Sequence, residues 1–300
     1  MKLLTALLLG VASQSLAYNI HGSCDCGNHR MDIRQAMEEA KSVLQWSSQT
    51  GTACAMWERM HETGDEPTSM YETCKDQGRR SILDDFFGDH GATAYEAIVN
   101  ALGPAAKVPG DYSESVDRLT VVCGDGHLNK ITTGVYRDRD RGYADVRFNP
   151  APGPNQTPCD VVHAIAYHTN DGNVVMLCNK PSTGVNQQAT FSQLNTRDVR
   201  GKNVDLLSKT ISAVFTHELI HAGNFDQFPR DLGGGQAEVY NYAGCKSLVN
   251  EDTKWKNCDT FAIIARLFYL NNYYSADGLL KALPNKYRPT NPNEPPTVPR

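Results

Sequence analysis

The chain has 300 residues, of which 40% are hydrophobic and 21% are charged, and its formal net charge is -5. This composition is that of an ordinary soluble globular protein with enough residues for a sizeable core. The mildly acidic balance argues against nucleic acid or an anionic membrane as a partner, because neither would attract it electrostatically. Nothing in the sequence predicts an oligomeric state.

The first 17 residues have the features of a secretory signal peptide. Lys2 precedes an apolar stretch at 3–12, and the small residues Ser15 and Ala17 predict cleavage before Tyr18. The stretch is about ten residues long, whereas a membrane span needs roughly 20. We therefore expect residues 1–17 to be removed and the protein to be secreted and extracellular, with no membrane span.

Helices are predicted for the first third of the mature chain. Apolar residues recur at helix spacing from Ile33 onwards, and the helical pattern covers 31–102. Within it, further helical runs are predicted at 54–61, 81–87 and 92–102. Gly103-Pro104 and Pro109-Gly110 are expected to break the chain.

Strands are predicted in the middle of the chain. One is expected at 119–123, and two more, at 161–168 and 173–178, form a predicted hairpin around the Asp171-Gly172 turn. The segment 137–141 alternates between arginine and aspartate, which is typical of a solvated loop or edge.

Helices are predicted again towards the C-terminus. The first covers 204–222 and ends at Gly223; the second covers 237–249 after a glycine-rich loop; the last covers 259–271. Proline recurs through 286–300, which predicts a disordered tail. No linker divides the chain, so we expect one α+β domain at 18–285, with a small mixed sheet between two sets of helices.

The nine cysteines predict disulfides, since the protein is expected to enter an oxidising compartment. Because nine is an odd number, at least one thiol is free or pairs outside the chain. One bond is predicted between Cys159 and Cys178, across the predicted hairpin. A second, between Cys245 and Cys258, would join the last two helices.

The most specific motif is His217-Glu218-Leu219-Ile220-His221, which has the pattern H-E-x-x-H. Residues four apart on a helix lie on one face, so both imidazoles can bind one catalytic Zn²⁺. Glu218 then lies beside the metal and can act as the general base for the water that attacks the substrate. The motif predicts a zincin-like fold.

A catalytic zinc usually has a third protein ligand. No histidine follows His221, so the acidic candidates are Asp226, Asp231 and Glu238. The residues alone leave these three open.

The region resembles the deuterolysin family, or aspzincins, which are secreted zinc endopeptidases. The resemblance is carried by the H-E-x-x-H motif, by the segment 234–242 and by 257–262, where the family has related glycine, acidic, tyrosine and asparagine positions. Glycine replaces the family's threonine in the second segment, and Glu238 replaces its aspartate. The resemblance implies Glu238 as the third ligand, with Asp231 as the second choice.

Tyr240 and Tyr242 follow Glu238 and are candidates for stabilising the oxyanion of a tetrahedral intermediate. The expected function is zinc-dependent hydrolysis of protein or peptide substrates, which an edge strand at 161–168 could hold by strand addition. The alternative is a secreted zinc-binding protein that lacks peptidase activity. Glu218 favours the enzyme, because a zinc carrier needs no base.

Overall fold

The computed structural model describes the chain from residue 18 to residue 282, with gaps. The described residues are 18–24, 29–64, 74, 79–89, 91–108, 119–141, 145–148, 151–169, 172–178, 190–191, 199–228, 232, 237–248, 251–270 and 273–282. The predicted signal peptide, the proline-rich tail, Cys26 and Asp231 lie outside these residues.

The described residues form an α+β structure, as predicted. The α-helices are α1 (His29–Thr63), α2 (Arg79–Phe87), α3 (Gly91–Lys107), α4 (Pro158–Val161), α5 (Ile211–Gly223), α6 (Tyr242–Lys246), α7 (Glu251–Lys254) and α8 (Cys258–Tyr269). The strands are β1 (Tyr18–Ile20), β2 (Leu119–Cys123), β3 (Leu128–Thr132), β4 (Val135–Asp138), β5 (Asp145–Arg147), β6 (Ala164–Thr169), β7 (Gly172–Leu177), β8 (Tyr273–Ala276) and β9 (Leu279–Ala282). Single 3-10 turns lie at Gly22–Cys24 and Val204–Lys209.

The main sheet has the strand order β1-β2-β7-β6. The strands β1, β2 and β7 are parallel, whereas β6 runs antiparallel to β7 and forms one edge. The β6–β7 pair is the hairpin that the sequence predicts, although β6 starts at Ala164, because 158–161 forms the short helix α4.

The main sheet is the middle layer of the structure. Val121 and Val175 belong to the large core shared with the helices, whereas Val122 and Val174, one residue away in each strand, belong to a smaller core. Alternate residues of a strand point to opposite faces, so both faces of this sheet are covered. The smaller core packs against the sheet β3-β4-β5 through Tyr136, Val146 and Phe148.

Helix α1 is one continuous helix of 35 residues, so the helical pattern that starts near Ile33 and the predicted run at 54–61 belong to one helix. It packs against α3, α5 and α8. Gly51 allows the close approach of α3, because a Cβ atom there would lie 3.2 Å from Val99.

The predicted break at Gly103-Pro104 is wrong, since α3 continues through Pro104 to Lys107. Proline removes the hydrogen bond to the carbonyl of Asn100, but Asn100 is exposed and solvent can satisfy that carbonyl. The buried side chains of Ala105 and Ala106 keep the last turn packed on the core.

The alternating segment 137–141 is not simply a solvated loop. Asp138 is fully buried and pairs with Arg141 (3.1 Å), and it accepts a hydrogen bond from the hydroxyl of Tyr167 (2.7 Å). The segment begins as the end of β4, the middle strand of the small sheet, which sequence alternation alone does not reveal.

Three disulfides connect six of the eight described cysteines. They are Cys24–Cys123, Cys54–Cys74 and the predicted Cys159–Cys178. The predicted bond between Cys245 and Cys258 is wrong, because both are buried, free thiols. Their sulfur atoms face different partners: that of Cys245 lies 3.5 Å from the carbonyl oxygen of Val239, and that of Cys258 lies 3.3 Å from the carbonyl oxygen of His217.

None of the helices in the described part of the chain combines the length and the apolar character that a bilayer span requires.

Candidate metal centre

Helix α5 carries the predicted histidine pair. Thr210 caps its N-terminus, where the hydroxyl accepts a hydrogen bond from the backbone N–H of Ala213 (3.0 Å). The predicted helix over 204–222 is thus two elements, a 3-10 turn and α5. The ring centroids of His217 and His221 are 4.9 Å apart, one helical turn along the same face.

Each histidine directs one ring nitrogen at a fixed acceptor and the other at Glu238. Nδ1 of His221 lies 2.8 Å from the backbone oxygen of Phe228, and its Nε2 lies 3.3 Å from Glu238 Oε2. Nδ1 of His217 lies 3.4 Å from Asp259 Oδ1, and its Nε2 lies 3.6 Å from Glu238 Oε1. When Nδ1 donates to such an acceptor, Nε2 is the nitrogen that binds a metal. These residues therefore fit a metal ion between the histidines and Glu238.

Glu238 reaches the histidines from a non-helical segment at 237–241. Asn257 holds this segment by bonding both the N–H (2.9 Å) and the carbonyl (3.0 Å) of Val239. Asp259 Oδ2 accepts a hydrogen bond from the N–H of Asn241 (2.9 Å), and Asn241 has a φ of 66° immediately before α6. The helix predicted over 237–249 is therefore wrong at 237–241, because contacts with the N-terminus of α8 replace helical hydrogen bonds there, and the described helix is Tyr242–Lys246.

Cys258 lies in the same cluster. Its sulfur and the metal-binding atoms of His217, His221 and Glu238 all lie within 4.8 Å of one another. Cys258 is fully buried in the first turn of α8. The sequence signal for it was the odd number of cysteines, which leaves at least one outside the intrachain disulfides.

Asp259 connects His217 to a buried arginine, since Arg266 Nη2 donates to Asp259 Oδ1 (3.1 Å). Burial raises the pKa of Asp259, but the hydrogen bond from His217 and the charge of Arg266 hold this pKa below its ordinary value. Burial also lowers the pKa of His217, but Cys258, Glu238 and the hydrogen bond to Asp259 raise it well above its ordinary value. The site thus favours a positive charge at His217.

Glu218 is held against the edge strand of the main sheet. Its Oε2 accepts a hydrogen bond from the backbone N–H of Ala166 in β6 (2.6 Å), and the residue is only 4% exposed. This N–H lies on the side of β6 that faces away from β7, because the neighbouring residues Ile165 and Tyr167 make the ladder bonds. Glu218 is thereby oriented next to His217.

A cleft of about 490 Å³ opens beside His217 and Glu218. This volume is in the range of small-molecule and peptide side-chain sites. Its apolar wall comes from the end of α4, the start of β6 and one face of α5, and consists of Val161, Val162, Ala164, Ala213 and Val214.

The two tyrosines predicted together are separated in the structure. Tyr240 lines the cleft, its hydroxyl donates to Glu238 Oε2 (3.0 Å), and its ring lies 5.7 Å from that of His217. The hydroxyl of Tyr242 donates instead to Asp85 Oδ2 in α2 (2.5 Å). Burial and this bond raise the pKa of Tyr242 to about 12. Tyr242 is not one of the described residues that line the cleft.

Of the other two candidate ligands, the structure describes only Asp226, and it is not part of the cluster. Asp226 is exposed in the turn after α5. Asp231 falls outside the described residues, so its prediction is not tested.

Comparison with models of known protein families gave no match, and no curated protein matches the chain. The resemblance to the deuterolysin family therefore stays a prediction that depends on the motif residues. The fold and the site define the class: an α+β protein with a buried group of two histidines, one glutamate and one cysteine that could hold a metal ion.

Proposed function

We propose that the chain is a secreted, zincin-like zinc metallopeptidase. The observation that carries the proposal is the orientation of the histidine pair, in which each Nδ1 is tied to an acceptor and each Nε2 faces Glu238. A structural histidine pair has no need of this arrangement, whereas metal ligation requires it. The three disulfides support export to an oxidising compartment.

The donor set favours zinc. His217, His221 and Glu238 supply nitrogen and oxygen ligands of the kind found in catalytic zinc sites, and the nearby thiol disfavours hard cations such as Mg²⁺ and Ca²⁺. When bound, zinc would act as a Lewis acid that makes a water molecule acidic at neutral pH.

Glu218 is the group that would accept a proton during hydrolysis and pass it to the leaving amine. Its carboxylate is fixed by the N–H of Ala166 and borders the cleft beside His217. A base that is held in place before the substrate arrives loses little freedom in the transition state. Tyr240 is the described tyrosine whose position allows it to contact a substrate, because it lines the same cleft.

Strand β6 supports a peptide as the substrate. Within the described residues β6 is one of the two edge strands of the main sheet, and its first residue, Ala164, lines the cleft together with His163. An extended peptide can pair with such an edge through backbone hydrogen bonds. The bond between Glu218 and Ala166 occupies the edge further along, so the peptide would pair with the stretch before Ala166.

Cys258 favours a second function, which is zinc binding without hydrolysis. A fourth protein ligand is typical of structural zinc sites, whereas catalytic sites keep one position open. In that case Glu218 would serve only to connect α5 to β6.

The test compares zinc content and casein cleavage in the wild-type protein and in Glu218→Gln. We expect one zinc per chain in both proteins and a loss of cleavage of about 10²–10⁴-fold in the variant, since the general base is removed. Glu62→Gln, which changes an exposed glutamate on α1, is the matched control and should cleave as the wild type does. Zinc in both proteins with cleavage in neither would favour the second function, and folded protein that binds no zinc would exclude both.

A further inference from the structure

Two buried thiols lie close to the proposed zinc site, and only one of them faces it. The sulfur of Cys258 lies 3.3 Å from the carbonyl oxygen of His217 and belongs to the metal-binding cluster. The sulfur of Cys245 lies 3.3 Å from the side-chain nitrogen of Asn257 and 3.5 Å from the carbonyl oxygen of Val239. Cys245 therefore packs behind the segment that carries Glu238.

We propose that Cys258 is a fourth protein ligand of the metal, which closes the site as His217, His221, Glu238 and Cys258. This inference depends on the metal centre of the proposed function but not on hydrolysis. Four donors of these types match the ligands and the number that tetrahedral zinc takes in proteins. The separations within 4.8 Å leave only a small contraction for them to meet around one ion.

The position of Cys258 in the fold supports this role. It is fully buried at the start of α8, between Asn257, which holds the Glu238 segment, and Asp259, which orients His217. Three consecutive residues, 257–259, thus contact the segment that carries Glu238, the metal-binding cluster itself and the ring of His217. A displacement of α8 would move the thiol, the histidine acceptor and the glutamate segment together.

A closed site has consequences for reactivity. With four protein ligands no position is open, so a water molecule or a peptide carbonyl binds only if the coordination number rises or a ligand leaves. Cys258 is the ligand that the H-E-x-x-H pattern does not require. The closed form is then a resting state in which the thiol protects the metal from solvent and from competing ligands.

Cobalt substitution tests the inference, because Co²⁺ bound to a thiolate has an intense sulfur-to-metal charge-transfer absorption in the near ultraviolet. We expect this band in the cobalt-loaded wild-type protein and in Cys245→Ser, and its loss in Cys258→Ser. Cys245→Ser is the matched control, since it removes the other buried free thiol of the described chain. Stoichiometric cobalt in the wild type without the band, or a band that persists in Cys258→Ser, would overturn the inference.

X-ray absorption at the zinc edge gives a second readout that does not depend on the folding of Cys258→Ser. In the zinc-loaded wild type and in Cys245→Ser we expect one sulfur at about 2.3 Å, with the remaining ligands at about 2.0–2.2 Å. A coordination shell of nitrogen and oxygen only would exclude Cys258 while leaving the metal centre of the proposed function intact. A folded wild-type protein that binds neither zinc nor cobalt would instead remove the metal centre itself, and the inference with it.

Discussion

Asp259 and the carbonyl group of Phe228 have the same part in orienting the two histidines, but only one of them is charged. The negative charge of Asp259 attracts a proton to His217. The carbonyl group of Phe228 is an uncharged acceptor that orients the ring of His221. Such partners set the tautomer of a ligating histidine and its basicity. The cost is competition between a proton and a metal ion for His217.

This competition predicts that zinc affinity rises with pH. The pKa of His217 is raised well above its ordinary value, so at neutral pH zinc must displace a proton from it. We expect the affinity to rise by roughly tenfold per pH unit or more until the pH exceeds the raised pKa of His217, because zinc releases the proton of His217 and, if Cys258 is a ligand, that of its thiol. Competition with a chromophoric chelator at several pH values measures this, and calorimetry in buffers of different ionisation enthalpy counts the protons.

The same proton affects the stability of the metal-free protein. The pKa of His217 is higher in the folded than in the unfolded state, so its protonation contributes to the free energy of unfolding. This contribution is complete when the pH is below the pKa of the unfolded state, about 6.5. The contribution is lost as the pH rises through the raised folded value. In the chelator competition described above, a zinc affinity that does not change between about pH 6.5 and the raised pKa would contradict the assignment of the proton to His217.

Tyr240 holds the third ligand, since its hydroxyl donates to Glu238 Oε2. We expect Tyr240→Phe to weaken zinc binding by about tenfold or more, as the loss of a hydrogen bond to a metal ligand usually does. Tyr242→Phe is the control, because the hydroxyl of Tyr242 bonds to Asp85 and should not affect zinc. Equal zinc affinities in the wild type and Tyr240→Phe would show that the hydroxyl of Tyr240 does not support zinc binding by Glu238.

At the scale of elements, the site consists of one helix, one irregular segment and one helix start. Helix α5 supplies both histidines and Glu218, the segment 237–241 supplies Glu238, and the first turn of α8 supplies Cys258 and Asp259. Helix α5 is buried and packs against α1, α3, α8 and β6, so its own position is well determined. The irregular segment depends on α8 for its position.

A single side-chain hydroxyl, that of Thr210, caps the N-terminus of α5. Thr210 is fully buried and caps α5 through the N–H of Ala213, so Thr210→Ala should lower the free energy of unfolding by about 1 kcal/mol or more. Thr52→Ala changes an exposed threonine inside α1 and should alter stability by less than about 0.5 kcal/mol. Denaturant unfolding of the two variants measures the difference, and equal stabilities would mean that the cap contributes nothing.

At the scale of the whole molecule, disulfides tie distant parts of the chain to the main sheet. Cys24–Cys123 connects the segment after β1 to the end of β2 across a sequence separation of 99, whereas Cys159–Cys178 closes a separation of 19. Strand β1 pairs only with β2 in the described sheet, so the first of these bonds also secures an edge strand.

Removal of the longer link should therefore destabilise the protein more. Chain entropy predicts a loss of about 5 kcal/mol for Cys24→Ala with Cys123→Ala, against about 3 kcal/mol for Cys159→Ala with Cys178→Ala. Thermal and denaturant unfolding of the two double variants provides the comparison, with each double variant as the control for the other. A smaller loss for the first pair would mean that β1 contributes little to the folded state.

The sequence by itself determined the features that depend on local periodicity. Residues four apart must share a helix face, which placed His217 and His221 together. Short apolar and β-branched runs located β2, and two such runs around an Asp-Gly turn located the β6–β7 hairpin. The α+β class and the disulfide Cys159–Cys178 follow from the same kind of short-range pattern, since the hairpin brings its two ends close. These are properties of neighbouring residues, so no knowledge of the rest of the chain is needed.

Only the tertiary structure decided which residues complete the site. The segment 237–241 has a helical pattern, but hydrogen bonds from Asn257 and Asp259 keep it extended and bring Glu238 to the histidines. The tertiary structure also leaves Cys245 and Cys258 as separate buried thiols, and it places Tyr240 at the cleft while Tyr242 packs on α2. Local preference is worth a few tenths of a kcal/mol per residue, and buried hydrogen bonds to a neighbouring helix start, about 1 kcal/mol each, outweigh it.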